Sequence, residues 1–434
     1  MKILHLSRMD SEGTGNAVIR LHQGLKQIGV SSKMLVLKRD SSDDDIIQLE
    51  EQKAPIRTLQ DKLLGRMIYW ELNNFFKYQK REAGSFSNCR SICDVSTHPL
   101  VQEADIIHLH WTAEMIDAET FFQKTAGKAI VLTLHDMNHF TGGCHYAGNC
   151  KKYEASCGAC PQLNSNSPTD ASHKIWGRKQ RAYLDRKMAV VANSEWMSEV
   201  SRKSSLLRNF QIKTIHYGLP TNVFVKRDQK FSRNLLILPQ NKTNILFGVA
   251  YQSKRKGLNY LLEALRLLSR KVRPANLALV TFGPTQPLND FTAQTGISVH
   301  QLGFIRDEAL LSHVYSAADV CVIPSLEEAF GQVCLESMSC ETPVVGFATG
   351  GISDMILHQK TGLLADSGNI ESLSQQIEYM VTHPEERQRM ANEARERVIR
   401  NHDLVRQAEV YFELYQELIN KLPIIANDVN LVAT

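Results

Sequence analysis

The chain has 434 residues, of which 43% are hydrophobic and 22% are charged, and its formal net charge at pH 7 is +4. This composition excludes a disordered or fibrous protein, and the length predicts two or three domains with full-sized cores. The mild positive charge favours anionic partners such as a lipid surface, and it is too small for a protein that binds nucleic acid.

Membrane-spanning and secretion segments are not predicted. The sequence contains no run near the ~18 apolar residues that a transmembrane helix needs, and its beginning, MKILHLSR, becomes polar after Leu6. We therefore expect a cytoplasmic protein, and we leave open a peripheral contact with the inner face of the cytoplasmic membrane.

The first unit begins as alternating strands and helices. Residues 3–6 form an apolar run typical of a buried strand, and residues 10–16 form a glycine-containing loop. Apolar side chains at helical spacing follow over residues 17–28, and residues 34–37 read as a second strand. This order predicts a β-α-β unit at the start of a parallel sheet.

Residues 53–82 interrupt the alternation with a basic, aromatic-rich segment. Leu59, Leu63, Met67 and Trp70 fall on one helical stripe, so a helix lying on anionic lipid is one interpretation. The apolar face is also broad enough for a helix that packs in the core or forms a lid on the first unit, and we favour this second interpretation.

The alternation returns after residue 104. Residues 105–111 and 129–136 are apolar runs that end in His, Trp or Asp. Parallel strands deliver side chains of this kind to the rim of a sheet. A helix at 173–187 and strands at 188–193 and 212–216 complete the first unit.

A polar stretch, residues 225–243, predicts a linker to a second unit of the same kind. The elements predicted after it are a strand at 244–250, a helix at 258–268, strands at 277–283 and 298–303, a helix at 308–317, a strand at 320–323, a helix from about 331, a strand at 344–347, helices at 370–382, 385–400 and 403–421, and a ragged tail from 422.

Four of the nine cysteines lie close together: Cys144, Cys150, Cys157 and Cys160, with His145 beside the first. A chain without a secretion signal is in a reducing compartment, where disulfides are disfavoured, so this density of thiols indicates zinc. Four protein ligands leave no open position, and such a zinc would be structural. The alternative is that small buried residues order the loop without metal.

Residues 321–351, CVIPSLEEAFGQVCLESMSCETPVVGFATGG, predict a strand, a loop, a helix and a strand. Glu328 lies in the loop and Glu336 about two helical turns later, so both carboxylates can face one cleft. A carboxylate can accept two ribose hydroxyls, and Gly350-Gly351 before a further helix allow backbone N–H groups to approach a diphosphate. The alternative is that both glutamates are solvated surface residues.

Two phrases carry a resemblance to a known family. E-A-F-G-x4-E-S-M-S-C-x-T-P-V-V, from Glu328, resembles the E-x7-E signature of retaining GT-B glycosyltransferases of family 4, within glycosyltransferase group 1. L-H-D-M-N-H-F-T-G-G-C-H-Y, from Leu134, is similar to a branch that builds bacterial exopolysaccharide, colanic acid or O-antigen. The resemblance is strongest over residues 105–163 and 244–365.

The resemblance implies a GT-B fold, in which two Rossmann-like, doubly wound α/β domains face each other across a cleft. The implied organisation is an acceptor-side domain at 1–224 that contains the cysteine cluster, a linker at 225–243, a nucleotide-sugar-binding domain at 244–402, a helix at 403–421 that crosses back to the first domain, and a tail at 422–434.

The resemblance also implies the site residues. Its catalytic residues would be His135, Glu328 and Lys256, and Lys256 would also hold the donor diphosphate. The other implied donor-binding residues are, in chain order, Gly13, Gly15, Arg255, Phe304, Ser325, Phe330, Gly331, Glu336, Gly350 and Gly351.

One of these motifs departs from the family pattern. Family members usually show G-R-x4-K-G at the diphosphate, whereas this chain has Tyr251 at the arginine spacing and Arg255 directly before Lys256. Arg255 is a substitute whose direction stays open, because adjacent residues on regular structure point apart.

The implied reaction is the transfer of a hexose, with retention, from a nucleotide-sugar donor to a saccharide acceptor that is lipid-linked, in cell-surface polysaccharide biosynthesis. The sequence offers no D-x-D run placed to hold a metal against the diphosphate, so no catalytic metal is expected, and zinc is expected only at the cysteines. The alternatives are a GT-B nucleotide-sugar epimerase or phosphorylase and a non-catalytic nucleotide-sugar-binding subunit.

Overall fold

The computed structural model of the chain describes residues 1–49, 86–251 and 253–420, together with Leu63, Arg66 and Met67. Apart from those three residues, the segment 53–82 lies outside the described residues, as does the predicted tail from 422. Both interpretations of that segment therefore stay predictions. Within the described ranges, no helix is both long enough and apolar enough to cross a membrane.

The first domain is built on a seven-stranded parallel sheet with the order β3-β2-β1-β4-β5-β6-β7. Its strands are β1 (Lys2–Met9), β2 (Ser31–Lys38), β3 (Ile46–Gln48), β4 (Ile106–Leu109), β5 (Ala129–Leu134), β6 (Met188–Ala192) and β7 (Ile212–Thr214). Its described helices are α1 (Glu12–Gln27), α2 (Pro99–Glu103), α3 (Ala118–Lys124), α4 (Ala171–Tyr183) and α5 (Glu195–Lys203).

The second domain is built on a six-stranded parallel sheet with the order β10-β9-β8-β11-β12-β13. Its strands are β8 (Thr243–Gly248), β9 (Leu277–Phe282), β10 (Ser298–Gln301), β11 (Val320–Ile323), β12 (Val344–Phe347) and β13 (Gly362–Ala365). The remaining helices are α6 (Gln229–Leu235), α7 (Leu258–Leu268), α8 (Asn289–Thr295), α9 (Glu308–Ala317), α10 (Gln332–Ser339), α11 (Ile352–Met355), α12 (Ile370–Thr382), α13 (Pro384–Asn401) and α14 (Leu404–Asn420).

The predicted fold class is confirmed. All strand pairs described in the two sheets are parallel. Helices cover both faces of such sheets, so their strands are apolar throughout, and all six residues of β5 are buried. The apolar runs seen in the sequence are therefore the central strands.

The last helix, α14, crosses back onto the first domain, as predicted. Its Tyr411 and Tyr415 are buried, and the Tyr415 hydroxyl lies 2.7 Å from Nδ1 of His108. A Cβ atom added at Gly24 of α1 would lie 3.0 Å from the Leu404 carbonyl oxygen. Glycine at this position therefore lets the two helices approach closely.

The start of α1 differs from the prediction. The helix begins at Glu12, inside the predicted loop, and is interrupted at Gly13, where φ is 23° and ψ is −104°. The Gly13 carbonyl oxygen accepts a hydrogen bond of 2.6 Å from Nε2 of Gln332 in the second domain. The interruption thus turns this carbonyl toward the opposite domain.

The predicted linker contains the helix α6. The Asp228 carboxylate accepts a hydrogen bond of 2.6 Å from the Phe231 N–H and so caps the helix. The Arg233 guanidinium then bonds to Asp319 at 2.7 Å and to the Ala317 carbonyl at 2.9 Å. The predicted linker segment therefore contains a helix that packs on the second domain. The other predicted domain bounds stay predictions.

Candidate active site

The loops that follow the carboxyl ends of the strands of both sheets enclose a cleft of about 600 Å³. Small-molecule sites typically have volumes of roughly 300–1,000 Å³. The predicted site residues that line it are Gly13, His135, Arg255, Lys256, Phe304, Ser325, Glu328, Phe330, Gly331 and Glu336.

Glu336 lies on α10 and is 6% exposed. Its Oε1 accepts a hydrogen bond of 2.7 Å from Arg20 of the first domain, and its Oε2 accepts one of 2.7 Å from the Tyr315 hydroxyl. Burial raises the pKa of Tyr315 well above its ordinary value, so the phenol keeps the proton that it donates. The carboxylate is therefore held in one orientation, and each oxygen has a further lone pair for a ligand.

Lys256 and Glu328 form an ion pair in the cleft, with 2.6 Å between Nζ and Oε2. A Cβ atom added at Gly257, where φ is +74°, would lie 1.8 Å from the Pro324 carbonyl oxygen, so glycine is needed for the two loops to meet. Burial opposes ionisation of Glu328, but Lys256 and Arg255 outweigh it and hold the pKa of this carboxyl below its ordinary value. The carboxylate is therefore ionised.

The Arg255 guanidinium also reaches the cleft. It donates 2.6 Å to the Tyr251 hydroxyl, bonds the Glu327 carbonyl, and lies 4.1 Å from the ring centroid of Tyr146 in the first domain. Its distance to the Glu328 carboxylate is 3.7 Å. Tyr251, at the usual arginine spacing, thus directs Arg255 to the same region as Lys256.

The N-terminus of α10 faces the cleft, and residues 330–333 line it. The N-cap residue Gly331 has a φ of 97° and provides no side-chain cap. Uncapped N–H groups and the helix dipole favour an anion at this position. Phe330 is buried behind it, 4.5 Å from the ring of Tyr217, and Ser325 Oγ lies 3.4 Å from Glu328 Oε2.

Gly350 and Gly351 are not among the residues that line the cleft. A Cβ atom added at Gly350 would lie 2.0 Å from the Glu328 carbonyl oxygen, and one at Gly351 would lie 2.4 Å from that of Ala329. The Gly351 N–H donates to the Glu328 carbonyl at 2.9 Å. The Gly351 N–H is already hydrogen-bonded within the protein, so it is not available to a diphosphate. The two glycines instead support the Glu328 loop.

The remaining predicted donor contacts lie at the edges of the cleft. Gly13 lines it, whereas Gly15 lies beneath, where an added Cβ would be 2.8 Å from the Asp10 carbonyl carbon. Phe304 is 46% exposed, with the Arg306 guanidinium 5.6 Å from its ring centroid. An exposed ring at the rim can stack on a base.

His135 is held inside the first domain through both ring nitrogens. Nδ1 lies 2.5 Å from the Tyr217 hydroxyl, and Nε2 lies 2.9 Å from Nδ1 of His110. Asn193 donates to the Tyr217 hydroxyl at 2.9 Å, so that hydroxyl can give its own proton to His135. Burial lowers the pKa of His135 to about 3, and the imidazole is neutral. Binding a sugar hydroxyl through a ring nitrogen would break one of these bonds.

A buried histidine network continues behind His135. Nε2 of His110 lies 2.9 Å from Nδ1 of His5, and Nε2 of His108 lies 2.7 Å from the Thr133 hydroxyl. Nitrogens of His5, His108 and His110 lie within 4.8 Å of one another, a spacing that a metal ion could bridge. The rings of His108 and His110 are packed with their centroids 4.0 Å apart, and these hydrogen bonds already use their nitrogens. The network therefore supports the ring of His135.

The acidic run at residues 43–45 reads D-D-D and formally satisfies D-x-D. The structure places Asp43 and Asp45 around Lys26, whose Nζ lies 2.6 Å from Asp45 and 3.4 Å from Asp43. Neither carboxylate is among the residues that line the cleft. The run is therefore not positioned to hold a metal against a bound diphosphate.

The cysteine cluster adjoins the cleft in sequence: Tyr146, between Cys144 and Cys150, lines the cavity, whereas the four cysteines are not among its lining residues. Its four thiols are reduced. Among the described residues, no three of them bring their sulfurs within 4.8 Å of one another. Burial raises the pKa of Cys144 to about 12 and that of Cys157 to about 11, and neighbouring cysteines contribute to both increases. Zinc would have to displace these protons and draw the thiols together.

Zinc at the cluster stays a prediction, and we expect one zinc per chain in protein purified without added metal. Cys157→Ser should lose the metal and melt at a lower temperature, because the ligands gather the loop that follows His135. Cys93→Ser, outside the cluster, should keep it. Elemental analysis of the three proteins is the measurement, and a zinc content near zero with normal melting would leave the packing interpretation.

Several residues of the site are not predictable from the sequence, because their partners are distant in the chain. Arg20 and Tyr315 bond to Glu336, Gln332 bonds to Arg20, and Tyr217 holds His135. For Arg20 a local signal existed: three residues after Ala17 and four before Gly24, it lies on the packed face of α1, where a charge needs a partner.

Residues 232–397 match the family model described as glycosyl transferases group 1. An uncharacterized glycosyltransferase of Methanocaldococcus jannaschii is 26% identical over 68% of this chain and 78% of that protein. A D-inositol 3-phosphate glycosyltransferase of an Arthrobacter species is 30% identical over 41% of this chain and 43% of that protein. The chain spans about half or less of the length of several such D-inositol 3-phosphate enzymes.

Solved structures share the fold over nearly the whole chain. Sucrose-phosphate synthase from Thermosynechococcus elongatus has a TM-score of 0.66 at 20% identity, covering 97% of this chain and all of that one. HepE of Anabaena, solved in complex with UDP, has a TM-score of 0.64 at 17% identity, covering 96% of this chain and all of that one. The match to the group 1 family model lies in the second domain, and the solved structures share the two-domain fold of the chain.

Proposed function

We propose that the protein is a retaining glycosyltransferase that moves a hexose from a nucleotide sugar to a saccharide. The observation that carries this proposal is the arrangement of two loops and one helix of the second domain. Glu336 offers an oriented carboxylate for ribose hydroxyls, while Lys256 and the N-terminus of α10 offer positive charge for a diphosphate. These groups face one cleft, which also contains the rim of the first domain.

The names of similar proteins support a nucleotide-sugar donor. HepE of Anabaena was solved with UDP and with UDP-glucose. The D-inositol 3-phosphate glycosyltransferases match part of this chain at up to 30% identity. We therefore propose a nucleoside diphosphate hexose as the donor, with the nucleotide to be identified by binding.

In the proposed reaction, the bond between the anomeric carbon and the phosphate oxygen breaks, and the acceptor hydroxyl bonds to that carbon on the same face. The acceptor proton passes to the departing phosphate oxygen. Lys256 and the N–H groups at the start of α10 stabilise the negative charge that grows on this phosphate. Arg255 adds positive charge nearby, and Glu328 holds Lys256 in place.

The proposed acceptor is a lipid-linked saccharide in cell-surface polysaccharide biosynthesis. The support is the phrase from Leu134 to Tyr146, whose residues His135, Asp136, His145 and Tyr146 line the first-domain side of the cleft. Cytoplasmic location and contact with the membrane through residues 53–82 belong to the same proposal.

The test is product formation with uridine, guanosine and adenosine diphosphate hexoses in the presence of EDTA, with the product's anomeric proton read by NMR. We expect binding of one donor to raise the melting temperature, and a product with the donor's anomeric configuration. An inverted product would contradict the mechanism. Activity lost with EDTA and restored by magnesium or manganese would contradict it as well, whereas restoration by zinc alone would point to the cysteine cluster.

The same samples separate the alternative functions. An epimerase would change the donor sugar without any acceptor, and a phosphorylase would need inorganic phosphate. A non-catalytic binding subunit would show the rise in melting temperature on donor binding, but none of the donor-acceptor pairs would react.

A further inference from the structure

Arg20 is a charged side chain in the interior of the protein. It lies on α1 of the first domain, and its side chain is only 2% exposed. A buried guanidinium is costly unless its N–H groups are bonded to acceptors, preferably anionic ones. Here the guanidinium donates hydrogen bonds to Glu308, Gln332 and Glu336, which all belong to the second domain.

Three acceptors surround this guanidinium. Glu308 accepts at 2.9 Å from Nε and at 2.7 Å from one terminal nitrogen, which also donates 2.7 Å to Glu336. The other terminal nitrogen donates 3.0 Å to Oε1 of Gln332. Burial alone would lower the pKa of Arg20, but the two carboxylates outweigh it and raise the pKa. The group is therefore a permanent cation against Glu336.

The geometry around Glu336 leaves its ligand-binding capacity intact. Arg20 uses one lone pair on Oε1, and the Tyr315 hydroxyl uses one lone pair on Oε2. A carboxylate has about four acceptor positions, so each oxygen retains one. Two acceptors on one rigid carboxylate match two adjacent hydroxyl groups, as on a ribose. A carboxylate free to rotate would lose this match.

The same cluster connects to the loop at the start of α1. Gln332 accepts from Arg20 through Oε1 and donates 2.6 Å through Nε2 to the carbonyl of Gly13, which lines the cleft. The orientation of Glu336 therefore depends on the first domain lying against the second.

We propose that Arg20 is a positioning residue, which holds Glu336 in the orientation that reads the adjacent ribose hydroxyls of the donor and so restricts the enzyme to ribonucleotides. The inference rests on the proposed function, since it states how the protein recognises the ribose of the donor nucleotide. It adds that Arg20, a residue of the first domain, controls recognition of the ribose only when the two domains are in contact.

The test compares uridine, guanosine and adenosine diphosphates with their 2′-deoxy forms in titration calorimetry. Losing one hydrogen bond to a charged group weakens binding about tenfold to a hundredfold, so the wild type should prefer the ribonucleotide by that ratio. In Arg20→Met, binding of the ribonucleotide should fall toward that of the 2′-deoxy form, and the ratio should approach one. A structural defect alone would weaken both forms equally and keep the ratio.

Arg233→Met is the matched control, because Arg233 is also buried and bonded to a carboxylate, Asp319, but lies outside the cleft lining. It should melt at a lower temperature and keep the wild-type ratio. Arg20→Lys keeps the charge without the forked geometry, so it should fold and give an intermediate ratio; it carries the test if Arg20→Met does not fold.

An unchanged ratio in both Arg20 variants would overturn this inference and leave the proposed function standing. If folded wild-type protein binds none of the diphosphates, the proposed function fails, and the inference fails with it.

Discussion

Replacing Lys256 with methionine should lower turnover about a hundredfold, because loss of one preorganised donor to a developing negative charge typically costs ~3 kcal/mol in the transition state. Its ammonium lies in the cleft, 2.6 Å from Glu328, and the helix N-terminus that we assign to the diphosphate lines the same cleft. Donor binding should weaken as well, by about 1.5 to 3 kcal/mol. Steady-state kinetics and calorimetry with the donor measure the two effects.

Lys254→Met is the matched control for this variant. Lys254 belongs to the same short turn, but it is exposed and does not line the cleft. Its replacement should leave both turnover and donor affinity near the wild-type values. Equal effects of the two substitutions would indicate a diffuse basic surface, and unchanged donor affinity in Lys256→Met would refute the assignment of the diphosphate site.

Replacing Gly350 with alanine should lower both the stability and the activity of the protein. The residue has a φ of +50°, and the added Cβ would lie 2.0 Å from the Glu328 carbonyl oxygen. Ordinary contact requires a shift of more than about 1 Å, and a displacement of that size can cost about a hundredfold in rate. Strain and overpacking together should lower the free energy of unfolding by about 3 kcal/mol. Denaturant unfolding and kinetics are the measurements.

Gly29→Ala separates backbone strain from the clash. Gly29 has a φ of +78°, and nothing lies within 4 Å of the position of its added Cβ. This variant should lose about 1 kcal/mol of stability through strain alone and keep its activity. If Gly350→Ala behaves in the same way, the Glu328 loop tolerates displacement, and the supporting role of Gly350 is wrong.

A substitution of His135 would affect the interior of the first domain as well as the cleft. Both ring nitrogens are bonded inside the first domain, and the ring is part of a buried network that reaches His5. Substitution therefore removes two internal hydrogen bonds in addition to any contact with the donor sugar. Loss of activity in such a variant cannot by itself identify a catalytic imidazole.

The amino-acid sequence by itself determined the layered fold and the location of the proposed donor side. Apolar runs such as 320–323 and 344–347 became buried parallel strands with those bounds, and the helix 308–317 matched α9. These elements follow from local hydrophobic periodicity, which depends on neighbours a few residues away. The E-x7-E spacing likewise placed Glu328 and Glu336 in one cleft, since a loop and one helix connect them.

The tertiary structure alone decided what each of these side chains contacts. Arg20 meets Glu336 across 316 positions of sequence, and Tyr217 meets His135 across 82. Gly350 and Gly351 follow a strand end, as a phosphate-binding turn would, yet the packing of the Glu328 loop turns the Gly351 N–H into the protein. Such contacts depend on how two domains and several loops pack together, and local sequence patterns do not specify which distant side chains meet or in which orientation.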